Sequence, residues 1–480
     1  MSGPPASEHA PERLAQGRLL LAIVAGGTFL TPINSTMIVV ALPALMTAFG
    51  VGVAGVSWIV TLYLVTMASL QPVAGRLGDS YGHRRLFVAG CVGLGGASIA
   101  CALAPTFPLL IAFRALQGVC ASAVNPNGAA IIRHAFVADA RGRAYGWLAA
   151  CMTFGAALGP AVGGLLVSQF GWASIFWVNL PILVFVIPLA VRRLPETVRQ
   201  RHRGFDAGGA VLLSLTLATG VVALSRLFRG ALAALAVAVA GVALGGVLYA
   251  WERRHANPIV DFRLFRHPAF AGASVAVLLT NLVMYTTLLL MPLFMVGLQG
   301  RGPREVGGVL VIYSSVMAGL SPVGGFLSDR LGPAVPVVGG TLLLLAGTGL
   351  LLQVHADTSL LGLIAPLAVG AAGVGLQMGA EQSAALESAP AGMSGVAGGI
   401  WATGRYLGAI LGAVLLGVIV EGTLDLAGFR QVLYVVAAAG LVLLPVGTLL
   451  RFSGRALGLL AVTGQAQPDA TKGLSSPPSV

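Results

Sequence analysis

Lysine is almost missing from this chain of 480 residues: Lys472, close to the C-terminal end, stands alone. A phosphate-binding loop needs a lysine to reach the outer phosphates of a nucleotide, so a built-in nucleotide-driven motor is excluded. Charge of either sign is scarce as well, at 9% of residues against 57% hydrophobic. That leaves too little polar side chain to cover a water-soluble globule of this size, and the chain belongs in a bilayer. Cysteine is sparse: Cys91, Cys101, Cys120 and Cys151 fall inside apolar runs without metal-ligand spacing, which points to reduced packing residues. The seven histidines all lie outside the middle of the apolar runs, which argues against an intramembrane histidine switch. No Ser-His-Asp or metal-ligating constellation stands out, so enzymatic activity is not expected.

What the chain does have is apolar runs of about 20 residues, each long enough as a helix to cross a hydrocarbon core of roughly 30 Å. About fourteen spans are predicted. A net charge of +12 would suggest nucleic acid in a soluble protein, but here the arginines gather in short loops on one side, where they set orientation. On the opposite side fall only Arg226, Arg229, Arg301, Arg304 and Arg430, and within spans Arg114 and Arg405. Both termini are therefore expected in the cytoplasm, in an inner bacterial membrane. The polar N-terminus with Glu8 and Glu12 is unlike a cleavable signal peptide.

One charged stretch between apolar runs, Gly75-Arg76-Leu77-Gly78-Asp79-Ser80-Tyr81-Gly82-His83-Arg84-Arg85, has a shorter copy at Gly325-Phe326-Leu327-Ser328-Asp329-Arg330-Leu331-Gly332. Gly, Leu, Asp and Gly recur at the same internal spacing, and each loop follows the second span of its half. The halves therefore form a parallel repeat. The organisation expected is a cytoplasmic segment at 1–17, a six-helix bundle at 18–203, an inserted two-helix hairpin at 204–250, a cytoplasmic loop at 251–268, a second six-helix bundle at 269–453 and a disordered tail at 454–480. The loop acid and arginines can form a charge relay that holds neighbouring helix ends together. Gly75 and Gly82 permit the turn, Asp79 is the candidate pivot, Arg84 its companion and Asp329 the repeated acid.

Within spans, Thr31-Pro32-Ile33-Asn34-Ser35-Thr36 interrupts span 1 at mid-depth, either as a substrate surface or as a kink satisfied by neighbouring helices. Span 4 holds Arg114-Ala115-Leu116-Gln117-Gly118 and then Asn125. A buried arginine keeps its charge and needs internal acceptors; the alternative is an interfacial arginine reaching the outer surface. Span 5 carries Gly155-Ala-Ala-Leu-Gly159-Pro160-Ala-Val-Gly163-Gly164, a smooth, bent face for close helix approach. Asn34, Thr36, Asn125, Tyr285, Gln377, Trp401 and Arg405 are candidates to line a largely apolar cavity between the halves.

Gly75 to Arg85, Arg114 to Gly118 and Gly155 to Gly164 resemble three signatures of the major facilitator superfamily. With fourteen spans and Trp172 to Pro181, the chain resembles the fourteen-span drug:proton antiporter branch over about Gly17 to Arg451. The resemblance implies an all-α major facilitator fold and a monomeric carrier driven by the proton gradient, with no bound cofactor. It implies gate roles for Asp79 and Arg84, proton handling for Arg114 and Gln117, and a leak-limiting interface between halves for Gly155, Gly159, Pro160 and Gly163. The chain departs from the branch in span 1, where Asn34 stands at the position of a common acid, and in span 6, where Ala173 follows the tryptophan instead of arginine. Asp79, Arg114, Gln117 and Glu381 are then the candidates for proton coupling. The leading reading is export of amphipathic small molecules by proton antiport. A facilitator or symporter for a specific metabolite, or a non-transporting receptor on the same scaffold, are the alternatives.

Overall fold

A computed structural model of the protein describes residues 10–136, 138–196, 206–227, 232–255, 258, 260, 262–387, 394–420 and 424–450. The tail at 454–480 and most of the basic loop after span 6 lie outside these. Among the described residues the regular structure is entirely helical. This is the outcome lipid demands of an open chain, because a helix satisfies its backbone groups internally.

The helices are α1 (Ala10–Phe49), α2 (Val53–Tyr81), α3 (His83–Ala102), α4 (Phe107–Ala135), α5 (Ala138–Phe170), α6 (Ser174–Trp177), α7 (Asn179–Arg193), α8 (Ala207–Leu227), α9 (Leu232–Arg254), α10 (Pro268–Gly297), α11 (Pro303–Leu331), α12 (Ala334–Leu351), α13 (Leu360–Glu387), α14 (Ser394–Ile419) and α15 (Leu426–Leu449). Twelve helical stretches are long and apolar enough to cross a membrane, α6 and α7 together forming one of them. Two shorter apolar helical stretches are Phe154–Phe170 in α5 and Gly208–Gly220 in α8. The protein is a multi-pass membrane protein.

The polar patch that interrupts the apolar run of span 1 lies within a continuous helix. Helix α1 runs through Pro32 and Pro43 without interruption. The hydroxyls of Ser35 and Thr36 donate back to the carbonyl of Pro32 at 2.9 and 3.0 Å, so the polar side chains find partners inside their own helix.

The two halves, α1–α7 and α10–α15, repeat the same packing. Helix α1 lies on α5 as α10 lies on α14, and α4 packs on α2 and α3 as α13 packs on α11 and α12. Between halves, α5 meets α11 and α2 meets α14, while α1 touches α10. The inserted α8 lies against α2 and α14, bridging the halves at their edge, and α9 packs mainly on α8. Its outer face carries the exposed Leu235, Val239 and Val242, as a lipid-facing hairpin requires.

Candidate functional site

The two repeated loops share a turn geometry. Gly82 closes α2 at φ +102° and Gly332 closes α11 at φ +82°, conformations that side chains with a Cβ rarely adopt. The amide of Gly82 donates to the Gly78 carbonyl at 2.8 Å, and that of Gly332 to the Ser328 carbonyl at 2.9 Å. The charges around Gly82 find partners both within the loop and beyond it. Asp79 pairs with His83, Oδ1 to Nε2 at 3.2 Å, whereas Arg84 and Arg85 both reach Glu196 beyond α7, at 3.4 and 3.5 Å. Arg84 also donates to the Leu194 carbonyl at 3.2 Å. Glu196 folds over Gly82 so closely that a methyl group there would collide with its carboxylate.

His83 is held from its other side. Its Nδ1 lies 2.7 Å from Asn127 Oδ1, and the Asn127 amide nitrogen donates to the carbonyls of Ala74 and Ala123 at 3.1 and 2.7 Å. Those two donations fix the amide, so its oxygen faces the histidine. The loop is thus tied to α4 by Asn127 and to the end of α7 by Glu196. Gly75 lies near Pro126 of α4, and the side chain of Asp329 lies outside what is described.

Arg114 is fully buried, which excludes the surface-reaching alternative. Its Nε donates to the Ile59 carbonyl at 3.3 Å and one terminal nitrogen to Gln117 Oε1 at 2.5 Å. The guanidinium lies over the Tyr63 ring, 4.4 Å from its centroid. From Gln117 the chain continues: its amide donates to Ser98 Oγ at 2.8 Å, Asn179 donates to the same oxygen at 3.0 Å, and Asn179 exchanges hydrogen bonds with Asn34. Four helices, α4, α3, α7 and α1, are joined by neutral groups with one cation at the end.

The glycine–proline face of α5 serves two contacts rather than one. Gly155 lies on Phe29, while Gly159 and Gly163 lie on Thr36 and Met37, all within the first half. Only the next positions meet the other half: a methyl added at Gly164 would stand 2.7 Å from the Pro303 carbonyl oxygen, and one at Gly307 2.7 Å from that of Pro160. The expectation that Gly155, Gly159 and Gly163 line the interface between halves is corrected to a packing role against α1. Gly164 and the Pro160 carbonyl take the interface, and there the backbones of α5 and α11 come close. Near the same end, Gly417 of α14 lies on Ala54 and Ser57 of α2. The halves are therefore in contact at the face opposite the two charged loops.

Two hydrogen bonds cross between halves at mid-depth. Tyr285 donates to Ser35 Oγ at 3.4 Å, and Gln71 donates to the Tyr406 hydroxyl at 3.2 Å. In the second half Thr280 stands within reach of both Gln377 and Glu381, and all three are fully buried. Trp401 and Arg405 stack, the guanidinium 5.4 Å from the ring centroid. Of the cavity candidates, Asn34, Thr36 and Gln377 are engaged within their own half, and Asn125 meets Thr31 at 3.3 Å. Among the described residues Tyr285 is the one of these that bonds across the halves.

Residues 24–413 match the family model for the Major Facilitator Superfamily. The chain belongs to this superfamily. It is 36% identical over 402 residues to an uncharacterized MFS-type transporter, YvkA, of Bacillus subtilis (strain 168), covering 82% of this chain and 88% of that one. It is 33% identical to the multidrug resistance protein Stp of Mycobacterium tuberculosis (strain CDC 1551 / Oshkosh), over 85% of this chain and 77% of Stp. The multidrug efflux pump LfrA of Mycolicibacterium smegmatis is 30% identical over 87% of this chain and 83% of its own. Among solved structures, a peptide transporter in complex with sulfate superposes with a TM-score of 0.66 at 17% identity, covering 90% of this chain and 95% of that one. A bacterial Spinster homologue in an inward-facing, occupied conformation gives 0.64 at 15%, covering 91% and 96%.

Sequence reading of this superfamily member missed Glu196, Asn127, Asn179 and Thr280. Glu196 lies in a basic loop where its sign makes it distinct, and Asn179 is an amide beside a proline in an apolar run. Both signals are visible in sequence. Thr280 is one hydroxyl among several, and only its position singles it out.

Proposed function

We propose that this transporter exports amphipathic or lipophilic small molecules by proton antiport, alternating between states open to either face, as a monomer of the fourteen-span branch. The observation that carries this reading is the similarity, over more than four-fifths of the chain, to relatives named for multidrug resistance and efflux. The α8–α9 hairpin inserted between the two six-span halves supports the branch, since a two-half carrier needs only twelve spans. The proton gradient is the energy source and no cofactor is required. The charged loops face the cytoplasm of an inner membrane, as do both termini.

The close backbone contact of Gly164 with Gly307 supports a state closed at the outer face. Opening that face means separating α5 from α11 and α2 from α14. On the inner face Asp79, Arg84 and Glu196 act as the gate, because their pairs join α2, α3 and the end of α7. Arg114 and Gln117 link the proton cycle to Asn34. A second reading, a facilitator or symporter for a specific metabolite, is favoured by the neutral Asn34–Asn179 pair. Dye efflux from cells with and without an uncoupler separates the two: antiport predicts that efflux stops when the gradient collapses, and a facilitator continues.

A further inference from the structure

Glu381 is the one fully buried carboxylate of the transmembrane core among the described residues, and it sits on α13 six residues before the helix ends at Glu387. Six residues correspond to about 9 Å of helix. It is therefore a short distance from the face that carries the two charged loops. One carboxylate oxygen stands 2.7 Å from the hydroxyl of Thr280 on α10, and the other has no hydrogen-bond partner. The same hydroxyl stands 2.8 Å from the side-chain oxygen of Gln377, one helical turn earlier on α13, whose amide nitrogen is also without a partner.

A threonine hydroxyl carries one proton. With the Gln377 oxygen facing it, that proton is used on Gln377, because an amide oxygen only accepts. In that arrangement the 2.7 Å contact between Thr280 and Glu381 is a hydrogen bond only when the carboxyl group supplies a proton of its own. If Glu381 is ionised, the pattern must invert: Gln377 turns its amide so that nitrogen donates to Thr280, and Thr280 donates to the carboxylate. The charge on Glu381 and the orientation of Gln377 are thereby tied through one hydroxyl.

We infer that Glu381 is the proton-binding site of this carrier and that Thr280 and Gln377 are positioning residues that transmit its protonation to α12. This inference rests on the antiport reading for its use of the proton, though not for the existence of the site. In the antiport cycle Glu381 takes one proton from water in the state open to the outer face and releases it to water at the loop face in the other state; the Thr280 proton changes partner and is not lost. The Gln377 side chain lies against Gly340, where a methyl group would stand 2.8 Å from its Cγ and 3.3 Å from its amide nitrogen. Reorienting the amide therefore changes what α13 presents to α12.

Among the described side chains, the other titratable groups on the elements around α13 do not pair with Glu381. They are His267 and Tyr285 on or beside α10, Arg304, Glu305, Tyr313 and Arg330 on α11, and Arg405 and Tyr406 on α14; α12 has none. Tyr285 is committed to Ser35, Tyr406 accepts from Gln71, and Arg405 stacks on Trp401. An isolated carboxylate in this setting has no counter-ion, and the neutral acid is the form the surroundings accept.

The test uses the purified full chain, with infrared difference spectroscopy between acidic and alkaline buffer and with ethidium transport in liposomes. The expected spectrum has a carboxylic-acid carbonyl band that Glu381→Gln removes and Thr280→Val moves in frequency, with both variants eluting as folded protein. Gradient-driven ethidium accumulation and its pH profile are expected to be lost in Glu381→Gln and reduced in Thr280→Val. A spectrum unchanged by Glu381→Gln overturns the proton site, as does an unchanged pH profile. A band that obeys the prediction in a wild-type protein without gradient-driven transport supports the site and overturns the antiport reading instead.

Discussion

Ser35 of α1 and Tyr285 of α10 meet through their hydroxyls at 3.4 Å, and they lie 250 positions apart, the same offset that separates Gly75 from Gly325. Equivalent positions of the two halves thus touch each other across the pseudo-symmetry axis, at the depth where a carrier holds its cargo. Tyr285→Phe keeps the ring and removes this donor. Stability is expected to fall by about 1 kcal/mol or less, since a long bond between neutral groups contributes little. Affinity for a transported dye should shift more than the melting temperature does, measured by fluorescence titration and thermal unfolding in detergent.

The loop turns allow a comparison between the halves. Gly82→Ala must adopt φ +102° and also push Glu196 away from its arginines, while Gly332→Ala faces open space at φ +82°. The backbone strain alone is about 1–2 kcal/mol in either case. Gly82→Ala is therefore expected to lower the melting temperature and the transport rate more than Gly332→Ala. Equal losses would show that Glu196 does not constrain the turn.

Glu196→Gln keeps the shape and removes the charge that Arg84 and Arg85 share. Both pairs are partly exposed, and such pairs contribute about 0–1 kcal/mol to stability. The expected result is a nearly unchanged melting temperature with an altered transport rate, because the charge links the α2–α3 turn to the end of α7. Asp79→Asn should likewise slow transport without preventing insertion. Wild-type rates in both variants would remove the loop from the gate.

Leucine at two glycines of α5 separates packing from gating. Gly159→Leu collides with Thr36 and Met37 inside the first half, so reduced folding yield is expected. Gly164→Leu collides with Pro303 and Gly307 of the other half, so a folded protein that fails to close its outer face is expected. Cysteine-accessibility labelling at the outer ends of α5 and α11 measures the difference.

Much of this arrangement could be read from composition and spacing. The spans follow from apolar length, and the parallel repeat follows from two loops with the same spacing. Arg114 and Gln117, three residues apart on α4, meet as helical geometry requires. What could not be read is partner choice across the bundle. Ser35 and Thr36 of the polar patch bond within α1 and Asn34 bonds to Asn179 of α7, contacts that spacing alone does not reveal. Arg84 pairs with Glu196 because α7 ends beside the turn, and that proximity is a property of the packed helices. The glycines of α5 divide between α1 and α11 for the same reason. Glu381 was visible as a rare acid, and its tie to Thr280, 101 positions away, was not.

Asn34 and Asn179 exchange hydrogen bonds at 3.0 and 2.9 Å, with an amide rather than an acid at position 34 of α1. Asn34→Ala leaves a buried amide short of a partner, at a cost of about 1–3 kcal/mol. Asn34→Asp adds a carboxylate to the chain that ends at Arg114, and the number of protons moved per dye molecule is expected to rise, measured with a pH-sensitive fluorophore inside liposomes. An unchanged ratio would remove this position from the proton cycle.

Movement of small amphipathic molecules by a proton gradient is measured directly with purified protein in liposomes, given an imposed pH difference and a panel of cationic, neutral and anionic dyes. Proton antiport moves dye against its own gradient, driven by protons moving the other way and abolished by a protonophore. Dye that only equilibrates, at the same rate with and without the pH difference, rules out proton antiport.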